Sequence, residues 1–194
     1  MSLSQDVFDG EVFTALELQG ARLEDRTFYD CRFERCSFNE ASFRRSRFMN
    51  CTFFGCDLSM ADPTDAELSG VTFENTALVA VNASVLVRPV GGLELRFRGC
   101  TLNYMTFRDL ELSGSVFEDS LVHEAVFSGT KLVKTSFRGS NLLNSTFSDC
   151  DLSHADLRGA TNYQISTKRN TVKGLKASFP EVVGLLAGLE LVIA

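Results

Sequence analysis

Residues 28–53 read FYDCRFERCSFNEASFRRSRFMNCTF, with a phenylalanine at every fifth position from Phe28 to Phe53. An α-helix repeats its side-chain direction every 3.6 residues and a flat strand every 2.0 residues. A period of five fits neither element, so the chain must turn a corner once in every repeat.

The same spacing runs over residues 8–78 and, after one break, over residues 97–157. Phe or Leu fills 26 of these 28 central positions, and the exceptions are Pro63 and Val122. A small residue usually stands two positions before each central residue. Each repeat therefore supplies one large and one small inward side chain, and its other three positions face outward.

Four repeats of five residues close a square coil of about 20 residues, and stacked coils bury one continuous column of apolar side chains. Backbones of successive coils would pair at about 4.8 Å. The sequence thus predicts an all-β solenoid, a narrow right-handed quadrilateral β-helix. The phenylalanines expected in its core are Phe28, Phe33, Phe38, Phe43, Phe48, Phe53, Phe107, Phe117, Phe127, Phe137 and Phe147.

Three features interrupt the pattern. The spacing loses register between Val79 and Leu95, which predicts a short excursion from the solenoid. Pro63 replaces a core residue and lacks the N–H for pairing between coils, so we expect a local bulge there. Arg26 stands at a small inward position, and either that corner opens to solvent or the first coil is distorted.

Two adjacent units, Cys150-Asp151-Leu152-Ser153-His154 and Ala155-Asp156-Leu157-Arg158-Gly159, resemble the A(D/N)LXX unit of the pentapeptide-repeat family. The resemblance covers about residues 6–165. We accordingly expect a pentapeptide-repeat β-helix over 1–165, interrupted near 79–95, and a C-terminal capping or dimerisation segment over 166–194.

The C-terminal segment contains signals for a short helix and an apolar tail. Ser178 and Glu181 have the spacing of a capping box, and Pro180 suits the first turn of a helix that extends to about Ala187. The apolar tail can cap the solenoid end, and a twofold contact would bury its surplus. The expected dimer interface comprises Phe179, Val182, Val183, Leu185, Leu186, Leu189, Leu191, Val192 and Ile193.

Composition narrows the function. The chain of 194 residues has 19 basic and 25 acidic residues, a net charge of −6 that argues against direct nucleic-acid binding. The sequence contains neither an N-terminal apolar run that would indicate secretion nor a long hydrophobic span that would cross a membrane, so a cytoplasmic protein is expected. All six cysteines occupy small inward positions, which favours buried thiols over disulfides or a zinc site.

The sequence predicts no enzyme, cofactor or metal. His123 and His154 lie at outward positions on different faces, without a nucleophile at a suggestive spacing, and common catalytic motifs are missing. Any function must then depend on the shape and charge of the surface. The alternative is that the charged residues only form an ordinary solvated surface. The acidic residues proposed to contact a partner are Asp62, Asp65, Glu67, Glu118, Asp119, Asp149, Asp151 and Asp156.

Within the pentapeptide-repeat family, the chain is similar to the Qnr, MfpA, AlbG and McbG group. Residues 56–62 resemble a Qnr segment, and residues 182–193 resemble the dimerisation tail of the group. That resemblance implies a DNA-mimicking homodimer that binds DNA gyrase, a type II topoisomerase, and protects it from quinolones or peptide-like poisons. The sequence contains no long insertion between coils like the one that Qnr proteins use to protect gyrase, which counts against strong drug protection more than against gyrase binding. The alternative function is that of a scaffold or adaptor with an unrelated protein partner.

Overall fold

The structure is a computed structural model that describes residues 5–186. Short strands of two or three residues make up the coils, and all of their pairings are parallel. The strands are β1 (Val7–Asp9), β2 (Val12–Thr14), β3 (Thr27–Tyr29), β4 (Arg32–Glu34), β5 (Arg47–Met49), β6 (Thr52–Phe54), β7 (Glu67–Ser69), β8 (Thr72–Glu74), β9 (Arg96–Arg98), β10 (Thr106–Arg108), β11 (Val116–Glu118), β12 (Val126–Ser128), β13 (Thr146–Ser148), β14 (Asp156–Leu157) and β15 (Lys176–Ala177). Over residues 5–186 the solenoid has about nine turns and almost no helix, which confirms the predicted β-helix.

The coil has four sides, which we number faces 1 to 4 in chain order. Face 1 begins with the sheet β1-β3-β5-β7, and face 2 contains the six-stranded sheet made of β2, β4, β6, β8, β9 and β11. Face 4 contains β10-β12-β13. Face 3 is held by isolated parallel bridges that link Glu17, Ser37, Asp57, Ala77, Thr101, Leu121, Asn141 and Thr161 in turn.

Aromatic side chains fill the centre of the solenoid. Each of the eleven phenylalanines named above is at most 7% exposed. Rings of successive coils stack: the centroids of Phe107 and Phe127 are 4.8 Å apart, and those of Phe117 and Phe137 are 5.0 Å apart. Rings of neighbouring columns, such as Phe107 and Phe117, meet edge to face. Both are favourable aromatic geometries, so the columns stabilise one another.

The small inward residues form hydrogen bonds as well as saving space. The Ser140 hydroxyl donates to the carbonyl oxygen of Phe117 at 2.6 Å and accepts from the N–H of Ser120 at 2.9 Å. Ser46 does the same with Leu23 and Arg26. In both cases the partners belong to the preceding coil. One hydroxyl thus satisfies a buried donor and a buried acceptor, which would be costly to leave unpaired.

The six cysteines are free and buried. The Cys51 thiol donates to the carbonyl oxygen of Phe28 at 3.4 Å, and Cys56 does the same to Phe33 at 3.4 Å. Burial raises the pKa of Cys51 to about 12 and that of Cys56 to about 11. These thiols stay protonated at neutral pH, so they are inert packing groups.

The local irregularity expected at Pro63 lies on the side of the following coil, whereas pairing with the preceding coil is ordinary. Asp62, directly before the proline, still forms its parallel bridge to Ser42, and β5 pairs with β7 in the ordinary register. Toward the following coil the pairing is irregular: the N–H of Asp65 donates to the carbonyl of Val85, one residue further along than at the corner of the preceding coil, where Arg45 donates to Thr64. The packing changes as well, because Pro63 and Ala83 are smaller than the Phe or Leu of other coils. An apolar cavity of about 50 Å³ lies beside them.

The predicted excursion is an insertion of four residues. Phe53 pairs with Phe73 over one ordinary coil, whereas Phe73 pairs with Phe97 over a coil that is longer by this insertion. A short 3-10 helix at Ala83–Val85 precedes it. A turn closed by the N–H of Gly92 and the carbonyl of Pro89 follows, with φ of +86° at Gly92. The interval from Leu78 to Phe97 is thus made of three repeats and the inserted turn.

Both ends of the solenoid depart from the repeat. Near the N-terminal end, the guanidinium of Arg26 forms a salt bridge with Asp6, and the Arg26 side chain is 23% exposed. Because β1 and β3 pair in the ordinary register, the corner is partly open to solvent and the coil is not distorted. At the other end, pairing continues beyond residue 165 to β15, which pairs with β14. A second 3-10 helix, at Glu181–Leu186, follows near the predicted helix.

Candidate interaction surface

The eight proposed acidic residues do not form one patch. The register divides them among three sides of the solenoid, and none lies on face 3. They are Asp62, Asp65 and Asp149 on face 4, Glu67 and Asp151 on face 1, and Glu118, Asp119 and Asp156 on face 2.

Most of these carboxylates already have a cationic neighbour. Five form salt bridges with arginines of the same or an adjoining coil, at nitrogen to oxygen distances of 2.6–3.9 Å. The pairs are Asp62–Arg44, Glu67–Arg47, Glu118–Arg98, Asp149–Arg169 and Asp156–Arg158. Opposite charges that lie a few ångströms apart largely cancel at longer distances, and salt screens what remains, so these positions produce a weaker field than their number suggests.

Asp156 is the most strongly held of the eight. Hydrogen bonds from Arg158 lower its pKa to about 2, although partial burial acts in the opposite direction, and the nearby charge of Arg138 adds to the lowering. Its side chain is only 16% exposed. This carboxylate therefore stabilises the coil more than it offers a free charge to a partner.

Face 3 has a different charge distribution, which sequence reasoning missed. Across the described residues of this face, every outward position lacks Lys and Arg, while Glu17, Glu40, Asp57 and Glu124 are acidic. The outward residues of the face are Glu17, Gln19, Gly20, Ser37, Asn39, Glu40, Asp57, Ser59, Met60, Ala77, Val79, Ala80, Thr101, Asn103, Tyr104, Leu121, His123, Glu124, Asn141, Leu143, Asn144 and Thr161.

Apolar side chains continue the same face toward the C-terminal end. Met60, Tyr104, Leu121 and Leu143 are all exposed. The carboxylates of Glu17, Glu40 and Asp57 lie in the first three coils. The exposed side chains of Tyr104, Leu121 and Leu143 lie in three later coils, which also contain the fourth carboxylate of the face, Glu124. The signal was present in the sequence, but it becomes visible only when the four-residue insertion is counted.

Most of the described part of the proposed dimer segment is exposed. Phe179 is 85% exposed, and Val182, Val183 and Leu186 are also exposed, whereas Leu185 packs against the core. The N–H of Ile165 donates to the carbonyl of Gly184 at 3.0 Å, which fixes the 3-10 helix on the last coils. Leu189, Leu191, Val192 and Ile193 lie outside the described residues.

An open groove adjoins this helix. Its lining includes Leu143, Phe147, Tyr163, Val183 and Leu186. The buried hydroxyl of Tyr163 makes no hydrogen bond with any described residue. Burial raises the pKa of this phenol, and the charge of Glu181 adds to the effect.

The histidines lie apart, His123 on face 3 and His154 at the corner of face 1. Within residues 5–186, we find no group of three or more His, Cys, Asp or Glu side chains placed to hold a metal ion. The helices in this range are too short to cross a membrane.

A four-sided β-solenoid with five-residue repeats is the fold of pentapeptide-repeat proteins, and the comparison with known families agrees with this class. The chain belongs to the pentapeptide repeat family: the model described as "Pentapeptide repeat region" matches residues 26–87 and 94–175. The unmatched residues between these two ranges coincide with the insertion. No curated protein sequence matches the chain.

Solved structures with this fold have low sequence identity. HetL, a pentapeptide repeat protein involved in heterocyst differentiation regulation from the cyanobacterium Nostoc sp. strain PCC 7120, superposes with a TM-score of 0.63 and 19% identity. The match covers 90% of this chain and 88% of HetL. A trypsin-treated QnrB1, a plasmid-mediated fluoroquinolone resistance protein, gives a TM-score of 0.64 and 14% identity over 97% of this chain and all of that chain. These likenesses show the fold alone.

Proposed function

We propose that this protein is a cytoplasmic, non-enzymatic rod that binds DNA gyrase or a related type II topoisomerase. In this role it imitates DNA, and it modulates the enzyme or protects it from quinolones or peptide-like poisons. The observation that carries the proposal is the fold shared with QnrB1 over nearly the whole chain. The resemblance of residues 56–62 to a Qnr segment, and of residues 182–193 to the dimerisation tail of the group, supports it.

The proposed mechanism is steric and electrostatic. A narrow rod with a net charge of −6 can lie along a positively charged DNA-binding saddle and compete with DNA. B-DNA has a charge about every 1.7 Å, which is nearly three per coil spacing of about 4.8 Å. The chain has far fewer, so bulk charge is insufficient and the distribution over the faces must matter.

Dimerisation forms part of the proposal. Phe179, Val182, Val183 and Leu186 present exposed apolar surface at one end of the solenoid. Two copies joined there would form a rod of twice the length and bury this surface. Sedimentation of the full chain, compared with the double variant Phe179→Glu and Val183→Glu, tests this part: the variant should be monomeric and should keep its β-rich circular dichroism.

A supercoiling assay tests the function directly. Purified gyrase is assayed with increasing amounts of the protein, with and without a quinolone. We expect inhibition of supercoiling or relief of drug inhibition, and either effect should weaken as salt is raised, because salt screens the charges. Full enzyme activity and full drug sensitivity at high protein concentration would exclude the proposal.

The second candidate is a scaffold or adaptor that binds an unrelated protein. It is favoured by the equally good structural match to HetL, which is described as involved in regulation of differentiation and has a TM-score of 0.63. A protein with no effect in the supercoiling assay but with a stable dimer in solution would favour this candidate.

A further inference from the structure

We infer that face 3 is the surface through which the protein contacts its partner, and that the partner is a protein with basic side chains opposite the first coils and apolar side chains opposite the later coils. This inference rests on the proposed function for the identity of the partner, a type II topoisomerase. The inference identifies the side of the rod that the partner covers and the kinds of contact that hold the two proteins together.

Charge separates face 3 from the other sides. Face 1 includes Arg47 and Lys131, face 2 includes Arg32 and Arg96, and face 4 includes Arg44, all of which form salt bridges with acidic residues of the protein. The described outward positions of face 3 contain four carboxylates and no Lys or Arg. Glu17, Glu40 and Glu124 form no salt bridge with any residue in 5–186, so their charges remain available to an external cation.

Apolar exposure is the second property of the face. Tyr104 is 54% exposed, Leu121 is 45% exposed and Leu143 is 41% exposed, in three consecutive coils. With Met60 and Val79 they extend the face beyond its acidic end. From Glu17 to Asn141 the face spans six coil spacings, or about 29 Å. Aromatic residues and methionine are enriched in protein interfaces, and apolar side chains form the buried centre of such contacts.

Backbone conformation at the edge of face 3 supports the inference. Twenty non-glycine corner residues of the described chain have a positive φ, and Met60 and Tyr104, with φ of +59° and +63°, are the two among them with a large, mainly apolar side chain. Both residues expose these side chains. A residue that only needed to turn the corner would not have to be large and apolar.

The charge pattern also decides between possible occupants. A second copy packed face to face would oppose its carboxylates to carboxylates or to apolar groups, because the described part of face 3 has no Lys or Arg to offer. Nucleic acid would be repelled by the acidic end and would leave the apolar end uncovered. A protein surface with basic groups opposite the first coils and apolar groups opposite the later coils complements both parts of face 3. Of the three occupants, only a protein of this kind fits the face.

The test uses purified gyrase as the probe and measures its binding to the full-length protein. The variant Leu121→Glu with Leu143→Glu removes apolar contact from face 3 while adding acidic charge. The matched control is Val12→Glu, since Val12 is a 55% exposed apolar residue at an outward position of face 2. A separate variant, Glu17→Gln with Glu40→Gln, removes charge from the acidic end. Circular dichroism and melting temperature verify that each variant is folded.

We expect at least about a tenfold loss of gyrase affinity for the leucine variant, which corresponds to loss of ordinary interface contacts. The glutamine variant should bind more weakly and with less dependence on salt, and Val12→Glu should bind like the unmodified protein. If the unmodified protein binds gyrase and the face 3 variants bind equally well, the inference is wrong and the proposed function stands. If the unmodified protein does not bind gyrase, both fail.

Discussion

At the level of single residues, the solenoid depends on inward hydroxyls as much as on inward phenylalanines. Ser140 connects the carbonyl of Phe117 and the N–H of Ser120 in the preceding coil. The five-residue period identifies Ser140 as small and inward. It cannot identify its hydrogen bonds, because both partners lie a full coil away and become neighbours only when the coils stack.

Replacing this hydroxyl tests its contribution. Ser140→Ala should lower the free energy of unfolding by about 2 kcal/mol, because one buried donor and one buried acceptor lose their partner. Urea unfolding of the variant and the unmodified protein measures the difference. Ser128→Ala is the control, since Ser128 lies at an outward position of β12, and it should change stability very little. Equal effects of the two substitutions would contradict this role for the inward hydroxyl.

Asp156 gives a prediction about pH. Its pKa is lowered to about 2, whereas the unfolded chain has the ordinary value of about 3.9. The unfolded state therefore binds a proton first as pH falls, so the stabilisation is complete above about pH 4 and disappears as the pH falls through 2. Asp156→Asn should be less stable than the unmodified protein by at most about 2 kcal/mol at pH 7.

Unfolding of both proteins by urea between pH 7 and pH 2 tests this expectation. The difference in stability should shrink between pH 4 and pH 2. A difference that stays constant down to pH 2 would show that the Asp156 carboxylate is not held by Arg158 and Arg138.

At the level of elements, the coils tolerate a local change without losing register elsewhere. Four extra residues enter between Ala83 and Phe97, and Phe97 then pairs with Phe117 in the ordinary register. The sequence locates the break because the Phe/Leu spacing fails there. It cannot give the number of inserted residues, since a missing repeat and an inserted turn leave similar gaps, and only pairing across the break distinguishes them.

The cavity beside Pro63 gives a prediction at this level. Pro63→Leu should fill part of the cavity of about 50 Å³ and restore an N–H, which should stabilise the protein by about 1 kcal/mol. The matched control is Pro63→Ala, which restores the N–H without filling the space. Thermal unfolding should rank the leucine variant above the alanine variant. The reverse order would mean that the space cannot accept a larger side chain.

At the level of the whole molecule, the solenoid follows directly from the sequence and the interaction surface does not. A period of five with large and small inward residues leaves few packing solutions, so fold and core can be derived from it. Face membership depends on the running count of residues through the insertion, and an error of one repeat moves every charge to a neighbouring face. The acidic residues proposed from the sequence as partner contacts were chosen without regard to face. As a result, Asp62, Glu118 and Asp151 lie on three different sides of the solenoid.

The proposed imitation of DNA is tested most directly by competition. A fluorescently labelled duplex bound to gyrase is titrated with the protein, and its anisotropy is recorded. The account predicts that the protein displaces the duplex, and that higher salt raises the concentration required. A duplex that stays bound while the protein binds gyrase at the same time would contradict it.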